Sequence, residues 1–140
     1  MSSTFTTPEQ IKSFVFGGNA TVTIESLKTG AHYTYRIRDS KDGAKTFVSV
    51  LSGPDNESDY VYAGVLDGGA VRTTKASKFS CDSVPVKSLN YMLGHVGAGQ
   101  MPPHCVVRHE GRCGVCNRTL TTPESLDRGI GPECWSKMAA

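Results

Sequence analysis

Three cysteines near the C-terminus have the spacing of metal ligands. Cys113 and Cys116 are separated by two residues, and Cys134 follows a glycine and a proline. A Cys-x2-Cys turn brings two sulfurs onto one ion, and Gly114 between them eases the tight turn. Pro132 suits the first position of a helix, which places Cys134 in a first helical turn where the helix dipole favours a thiolate. The pattern predicts a treble-clef-like zinc site.

A tetrahedral zinc site needs a fourth ligand, and three side chains are candidates. His109 lies four residues before Cys113 and can fold back toward it, because Gly111 permits a turn between them. Cys105 is the chemical rival, since a fourth thiolate would complete an all-cysteine site. His104 is the third candidate. The sequence favours His109 and leaves the other two open.

The predicted Zn²⁺ has a structural role. The segment from about residue 111 onward is too short to bury its own core, and a structural zinc contributes on the order of 10 kcal/mol to the folding of such a unit. A closed four-ligand site also leaves no position for a substrate or an activated water. The zinc-deaminase pattern fails, because the glutamate directly follows His109 and no proline precedes Cys113. We therefore predict that the protein is not an enzyme and acts on no small-molecule substrate.

We call residues 104–140, which contain the predicted zinc site, the metal segment. Upstream of it, alternating apolar and polar residues predict five short strands, at residues 20–27, 32–38, 46–51, 60–66 and 71–75. Glycine-containing turns connect most of them, including the turn at 67–69, and a polar loop is predicted at 53–57. Short connections favour a five-stranded antiparallel meander or a small open barrel.

Helices are predicted on both sides of these strands. Thr7 and Pro8 form a helix start, and a second helix is expected from about residue 85 to residue 93, with Ser83 as its cap and Gly94 at its end. Residues 121–126 predict a further capped helical turn. The fold class is thus α+β, with a β-sheet domain at 1–103 and a zinc-binding module packed on it at 104–140. Trp135 is expected to anchor that module on the sheet.

Bulk composition constrains the function only weakly. Fifteen Lys and Arg against thirteen Asp and Glu give a net charge of +2, which permits a local basic patch without predicting nucleic-acid binding by itself. The N-terminal residues show no secretory signal, and no apolar run approaches the ~18 residues that span a bilayer. The expected location is the cytoplasm, where the five cysteines are reduced thiols or metal ligands. Cys81 is expected to be a small buried thiol.

Strand 32–38 separates aromatic from basic side chains. Tyr33 and Tyr35 share one face and are expected to pack in the core, whereas Arg36 and Arg38 share the other face. Basic residues on an exposed sheet face can neutralise phosphates. The acidic residues of the metal segment equally allow its arginines to form salt bridges. The candidate nucleic-acid-binding residues are Arg36, Arg38, Arg72, Lys75, Arg112 and Arg118.

The pattern from His109 to Cys134, together with the strand segments 20–36 and 47–60, resembles a family of small uncharacterised proteins encoded mainly by tailed bacteriophages and prophages. The resemblance implies a phage origin and expression in the cytoplasm of a bacterial host. It also implies a zinc site formed by His109, Cys113, Cys116 and Cys134. It implies no activity.

Two functions fit these observations. The first is a non-enzymatic phage accessory protein that binds nucleic acid through its basic residues. The alternative is a protein–protein interaction module that inhibits or redirects a host factor, such as a defence system or the transcription machinery. We favour nucleic acid, because the cations gather on one face of the strands.

Overall fold

The computed structural model describes residues 4–53, 59–67, 69–120 and 123–139. Most of the predicted polar loop, Gly68 of the predicted turn, and the predicted caps Thr121 and Thr122 lie outside the described residues. In the described part of the chain, no helix is long and apolar enough to cross a membrane. The elements are α1 (Pro8–Val15), β1 (Asn19–Ser26), β2 (His32–Asp39), β3 (Thr46–Leu51), β4 (Tyr60–Asp67), β5 (Ala70–Arg72), α2 (Val84–Gly97), β6 (Cys105–His109), α3 (Pro123–Arg128) and α4 (Pro132–Ala139).

The strands form one antiparallel sheet in the order β5-β4-β3-β2-β1-β6, curled into a half-barrel. The predicted α+β class and the antiparallel meander are confirmed. A sixth strand, β6, was not predicted; it pairs with β1 so that Val22 lies opposite His109 and Ser26 opposite Cys105. The strand β6 lies within residues 104–140, which the sequence assigned to the zinc module. That segment therefore contributes a strand to the sheet. The division at residue 103 stays a prediction.

The strand β5 is shorter than predicted and ends at Arg72, so Lys75 lies in the turn that follows it. A side chain of α2 takes over the pairing at this edge of the sheet. The Asn90 Oδ1 atom accepts a hydrogen bond from the Val71 N–H at 2.7 Å, and Asn90 Nδ2 donates to the Val71 carbonyl at 3.4 Å. These bonds satisfy backbone groups that an edge strand otherwise exposes.

The core lies between one face of the sheet and the helices α1 and α2. As predicted, α1 begins with Thr7 as its cap, and a capping box with Gln10 stabilises this start. Helix α2 is longer than predicted and continues through Gly94 to Gly97, because the next turn buries Val96 in the core. The Tyr35 hydroxyl joins the two layers by donating a 2.6 Å hydrogen bond to the Pro85 carbonyl at the start of α2.

The two faces of β2 are divided as the sequence predicts. Tyr35 and Ile37 are fully buried in the core, and Tyr33 packs against it, whereas Arg36 and Arg38 lie on the opposite face. We call this opposite side the outer face of the sheet. Aromatic side chains of β3 and β4 also belong to the outer face: Phe47, Tyr60 and Tyr62. A register shift between the two strands follows Val48 and places Val65 opposite Phe47.

Candidate metal centre and basic face

The structure brings together the three cysteines of the predicted metal site. The sulfur atoms of Cys113, Cys116 and Cys134 all lie within 4.8 Å of one another. With a Zn–S distance of about 2.3 Å, tetrahedral ligation puts sulfurs about 3.8 Å apart, so a small contraction would seat an ion among them. Cys113 and Cys116 come from a turn, and Cys134 comes from the first turn of α4, as the sequence predicts.

Cys113 lies at the centre of this cluster and is fully buried. Its sulfur accepts hydrogen bonds from the backbone N–H groups of Val115 at 3.4 Å, Cys116 at 3.5 Å and Gly131 at 3.2 Å. Burial raises the pKa of the Cys113 thiol, but these donors outweigh burial and lower the pKa to about 7. The fold therefore prepares Cys113 as a thiolate.

The pKa of Cys134 is shifted in the opposite direction. Burial, the contacts with the thiols of Cys116 and Cys113, and the negative charges of those two groups raise the pKa of Cys134 to about 11. Three thiolates at this separation repel one another, and a divalent cation among them would replace that repulsion by attraction. The donor set thus fits a thiophilic metal ion such as Zn²⁺.

His109 is not beside these thiols. Its Nε2 atom is hydrogen-bonded to the Leu126 carbonyl, and its Nδ1 atom accepts from the Gly111 N–H at 2.9 Å. The ring is 3% exposed and packs against Phe5 and Phe14, with centroid distances of 5.3 and 5.6 Å. The structure thus separates the predicted fourth ligand from the cluster, because pairing of β6 with β1 directs the histidine into the core.

The other two candidates for a fourth ligand are also elsewhere. The Cys105 thiol donates to the Pro102 carbonyl at 3.6 Å, and the His104 carbonyl accepts from the Leu27 N–H. Within the described ranges, no fourth histidine, cysteine or acidic side chain joins the three clustered thiols. Cys81 is exposed, which corrects the prediction of a buried thiol.

The turn that carries Cys113 and Cys116 is docked onto the end of α1. A Cβ on Gly114 would lie 2.7 Å from Cδ1 of Phe14 and 2.9 Å from the Phe14 carbonyl oxygen. A Cβ on Gly129 would lie 2.6 Å from the same ring carbon. The two glycines are also hydrogen-bonded to each other, from Gly114 N–H to the Gly129 carbonyl at 2.9 Å. Close approach to Phe14, and not only the turn, therefore requires glycine at position 114.

The metal segment has a small apolar cluster of its own, separate from the main core. Its buried residues are Cys113, Leu120, Leu126 and Ile130. Trp135 packs partly buried against this cluster, and the Arg128 guanidinium stacks 4.6 Å above the Trp135 ring. The prediction that Trp135 anchors the module on the sheet is thus replaced by a contact inside the module.

On the outer face, the candidate cations Arg36, Arg38 and Arg72 lie among aromatic rings. The Arg36 guanidinium stacks 4.0 Å above the Tyr60 ring. Arg38 lies opposite Phe47, Phe47 opposite Val65, and Val65 opposite Arg72, so one row of four neighbouring strands has a cation at each end. Burial, followed by the neighbouring Arg36 charge, lowers the pKa of Arg38 below its ordinary value.

A cavity of about 510 Å³ lies on this face. It is bounded by Phe47, Tyr62 and Val65, with Lys45 and Arg72 also in its lining. The Phe47 ring is 38% exposed and meets the Tyr62 ring edge-on at 6.2 Å. Sequence reasoning missed these aromatic residues. The alternation in each strand was visible, but the pairing of β3 with β4 that brings the rings together was not.

The remaining candidate cations are distributed differently. Lys75 is exposed in the turn after β5, and Arg112 and Arg118 are exposed on the metal segment. The Arg112 Nη1 atom donates to the Asn117 carbonyl at 3.4 Å, and Arg118 forms an exposed ion pair with Glu133 at 3.8 Å. The structure therefore brings Arg36 and Arg38 side by side and places Arg112 and Arg118 around the cysteine turn.

Comparison with known proteins gives one match. A model of a family of unknown function, DUF6011, matches residues 103–139, which include β6 and all three clustered cysteines. Nothing matches this chain among curated proteins or among solved structures. The match assigns the metal segment to a recurring domain but attaches no activity to it.

We expect each of the substitutions Cys113→Ser, Cys116→Ser and Cys134→Ser to abolish stoichiometric zinc binding, because each removes one of three converging thiolates. The matched controls Cys81→Ser and Cys105→Ser keep the parent zinc content. The measurement is metal per chain by elemental mass spectrometry after gel filtration. Full zinc content in Cys134→Ser would contradict the assigned cluster, and loss of zinc in His109→Ala without loss of folding would restore His109 as a ligand.

We expect Gly114→Ala to lower the free energy of unfolding by about 1–3 kcal/mol, because its methyl group overlaps the ring and carbonyl of Phe14. The control is Gly94→Ala in α2, where a Cβ meets nothing within 4 Å. That change should stabilise the protein by up to about 1 kcal/mol through helix propensity. Both values come from denaturant unfolding of metal-loaded protein. Equal effects of the two changes would refute the docking contact.

Proposed function

We propose that this chain is a non-enzymatic nucleic-acid-binding protein whose C-terminal segment is held by a structural zinc ion. One observation carries the proposal: arginines and aromatic rings occupy the same outer face of the sheet, in a row from Arg38 through Phe47 to Arg72. Neighbouring strands lie about 4.8 Å apart, so the two cations are about 14 Å apart across the sheet with a ring between them. Positive charges that contact backbone phosphates and an aromatic ring that stacks a base are the features by which proteins bind single strands.

Electrostatics favours an anionic ligand at this face. Burial, followed by the charge of the neighbouring Arg36, lowers the pKa of Arg38. A phosphate placed between these two arginines would relieve their repulsion and accept hydrogen bonds from both guanidinium groups. Arg72 is already paired with Asp67 at 3.3 Å, but both side chains are about two-thirds exposed, so this pair contributes little and exchanges readily with a phosphate.

The aromatic rings favour single-stranded nucleic acid over a duplex. Phe47 and Tyr62 border an open cavity of about 510 Å³, and a base can enter it only when it is not paired and stacked in a helix. Stacking on an aromatic side chain accepts any base, so we expect little sequence preference from this contact. Arg36, stacked on Tyr60, offers a further flat surface beside this row.

The metal segment extends the same surface in this proposal. Asn19, the register partner of Arg38, donates to the Gly114 carbonyl at 2.8 Å, so the cysteine turn adjoins the Arg38 end of the sheet. Arg112 and Arg118 flank that turn. Zinc then has a structural role, because it holds these two arginines in place relative to the sheet. A thiolate-rich donor set is typical of structural zinc.

The biological setting belongs to the proposal as well. The resemblance of the cysteine pattern to proteins of tailed bacteriophages supports a phage accessory protein that works in the cytoplasm of a bacterial host. Such a protein would encounter single-stranded nucleic acid during replication, repair or transcription of a phage genome.

We expect Phe47→Ala to weaken binding of a short labelled single strand by about 1–3 kcal/mol, because it removes a stacking ring. Arg38→Ala should weaken binding and also reduce the dependence of affinity on salt, because one phosphate contact is lost. The matched control is Lys12→Ala, an exposed cation on α1, which packs on the other face of the sheet. Fluorescence anisotropy over a salt series measures both quantities.

The proposal fails if the parent protein binds no single strand at low salt, or if Lys12→Ala reduces affinity as much as Arg38→Ala. Tighter binding of a duplex than of the matching single strand would contradict the stacking role of Phe47 while leaving the phosphate contacts in place.

A further inference from the structure

A second surface, on the core side of the sheet, has different chemistry. A cavity of about 480 Å³ opens where β1 ends and β2 begins, between these strands, the first half of α2 and the segment before β6. We call it the apolar groove. Its walls include Ile24, Tyr33, Val84, Tyr91 and Pro103. A volume of this size lies within the range of ligand-binding pockets.

The rim of the apolar groove exposes large apolar side chains. Val84 is 58% exposed and Tyr91 45% exposed, and both line the groove. Leu27, between the lining residues Ser26 and Lys28, is 63% exposed. Among the described residues, only Phe16 and Phe47 are also large, apolar and exposed. Exposed apolar side chains that gather around a cavity are typical of an interaction site, whereas singly scattered ones are common on any protein surface.

The charges around the apolar groove have one sign. Lys28 and Lys87 are exposed in its lining, and none of the described lining residues is acidic. Glu25 on β1 lies on the outer face, where it is paired with Arg108 at 2.8 Å. Asp82 precedes α2 and is not part of the lining. A ligand at this site would therefore meet apolar walls and two free ammonium groups.

The apolar groove is also held in shape by hydrogen bonds. The Tyr91 hydroxyl donates to the Pro103 carbonyl at 3.1 Å, and the Leu27 N–H donates to the His104 carbonyl at 2.8 Å. These bonds connect α2 and the end of β1 to the segment that leads into β6. A preformed site loses little conformational entropy on binding, which favours affinity.

We propose that the apolar groove binds a short segment of a partner protein that carries one or two large apolar side chains flanked by carboxylates. The cavity takes the apolar anchor, and Lys28 and Lys87 pair with the flanking acids. A peptide fits better than a small molecule, because Leu27 and Val84 extend the apolar surface beyond the cavity. The site lies on the opposite side of the sheet from Arg36 and Arg38, so it is independent of the proposed nucleic-acid face.

The test begins with peptide display on the full, zinc-loaded chain, followed by affinity measurements with the selected peptides. We expect the selected sequences to combine leucine or an aromatic residue with aspartate or glutamate. Leu27→Ser/Val84→Ser should weaken them at least about fivefold, the size of a contact that matters at an interface. The matched apolar control is Phe16→Ser, at 49% exposure on the end of α1, and it should leave affinity unchanged.

A second double variant tests how much the two lysines contribute to peptide binding. Lys28→Glu/Lys87→Glu should weaken the acidic peptides and strengthen versions in which lysine replaces their acids, whereas the control Lys12→Glu should do neither. Such an exchange of preference is not produced by misfolding. Binding of a labelled single strand should be the same in the parent and in Lys28→Glu/Lys87→Glu.

Three results would overturn the inference. The first is selection of peptides without acids, or of peptides that bind the groove variants as tightly as the parent. The second is loss of oligonucleotide binding in Lys28→Glu/Lys87→Glu, which would assign these lysines to nucleic acid. The third is concentration-dependent dimerisation that Leu27→Ser/Val84→Ser abolishes, since a second copy of this chain would then occupy the groove.

Discussion

The ring of Phe14 packs against two backbone turns of the metal segment, and the arrangement of the whole molecule depends on that contact. Gly114 and Gly129 approach the ring so closely that neither position has room for a Cβ. One turn carries two of the clustered cysteines, and the other leads into the helix that carries the third. The main core reaches the same ring through Phe5 and His109. Phe14 thus connects the sheet and its helices to a segment whose own cluster has four buried members among the described residues.

In the proposed function, a segment with so small an apolar cluster depends on a metal ion bound by its thiols for order. The backbone donors around Cys113 are oriented by the turn, and the turn is oriented by its contacts with Phe14 and Asn19. A metal ion bound by these thiols would therefore stabilise the docking onto α1, and the docking would stabilise metal binding. In the proposed function this coupling fixes Arg112 and Arg118 beside Arg38. The metal itself then contacts no ligand. It contributes to ligand binding only because it fixes the position of the segment that carries these two arginines.

Local patterns in the sequence predicted much of this structure. Alternation placed five strands, and the spacing of Cys113, Cys116 and Cys134 predicted their convergence. The differences between expectation and structure arise from pairings between distant parts of the chain. His109 was expected at the metal, but β6 pairs with β1 and directs the histidine into the core. The rings of Phe47, Tyr60 and Tyr62 share one face because β3 pairs with β4, and neither strand alone reveals the register of that pairing. Gly114 lies in a turn and Trp135 in a helix, as the sequence predicts. The residues that they contact are determined by tertiary packing, which the sequence pattern does not reveal.

Hydrogen exchange of the metal-loaded protein, compared with the same protein after chelation, tests the central claim most directly. If the metal orders the C-terminal segment through its thiolates, the amides of Val115, Cys116 and Gly131 lose protection when the metal is removed, because they donate to the Cys113 sulfur. The paired amides of β1 to β4 keep most of their protection, since the main core lies on the sheet. Unchanged exchange at those three amides after complete removal of the metal would contradict the account.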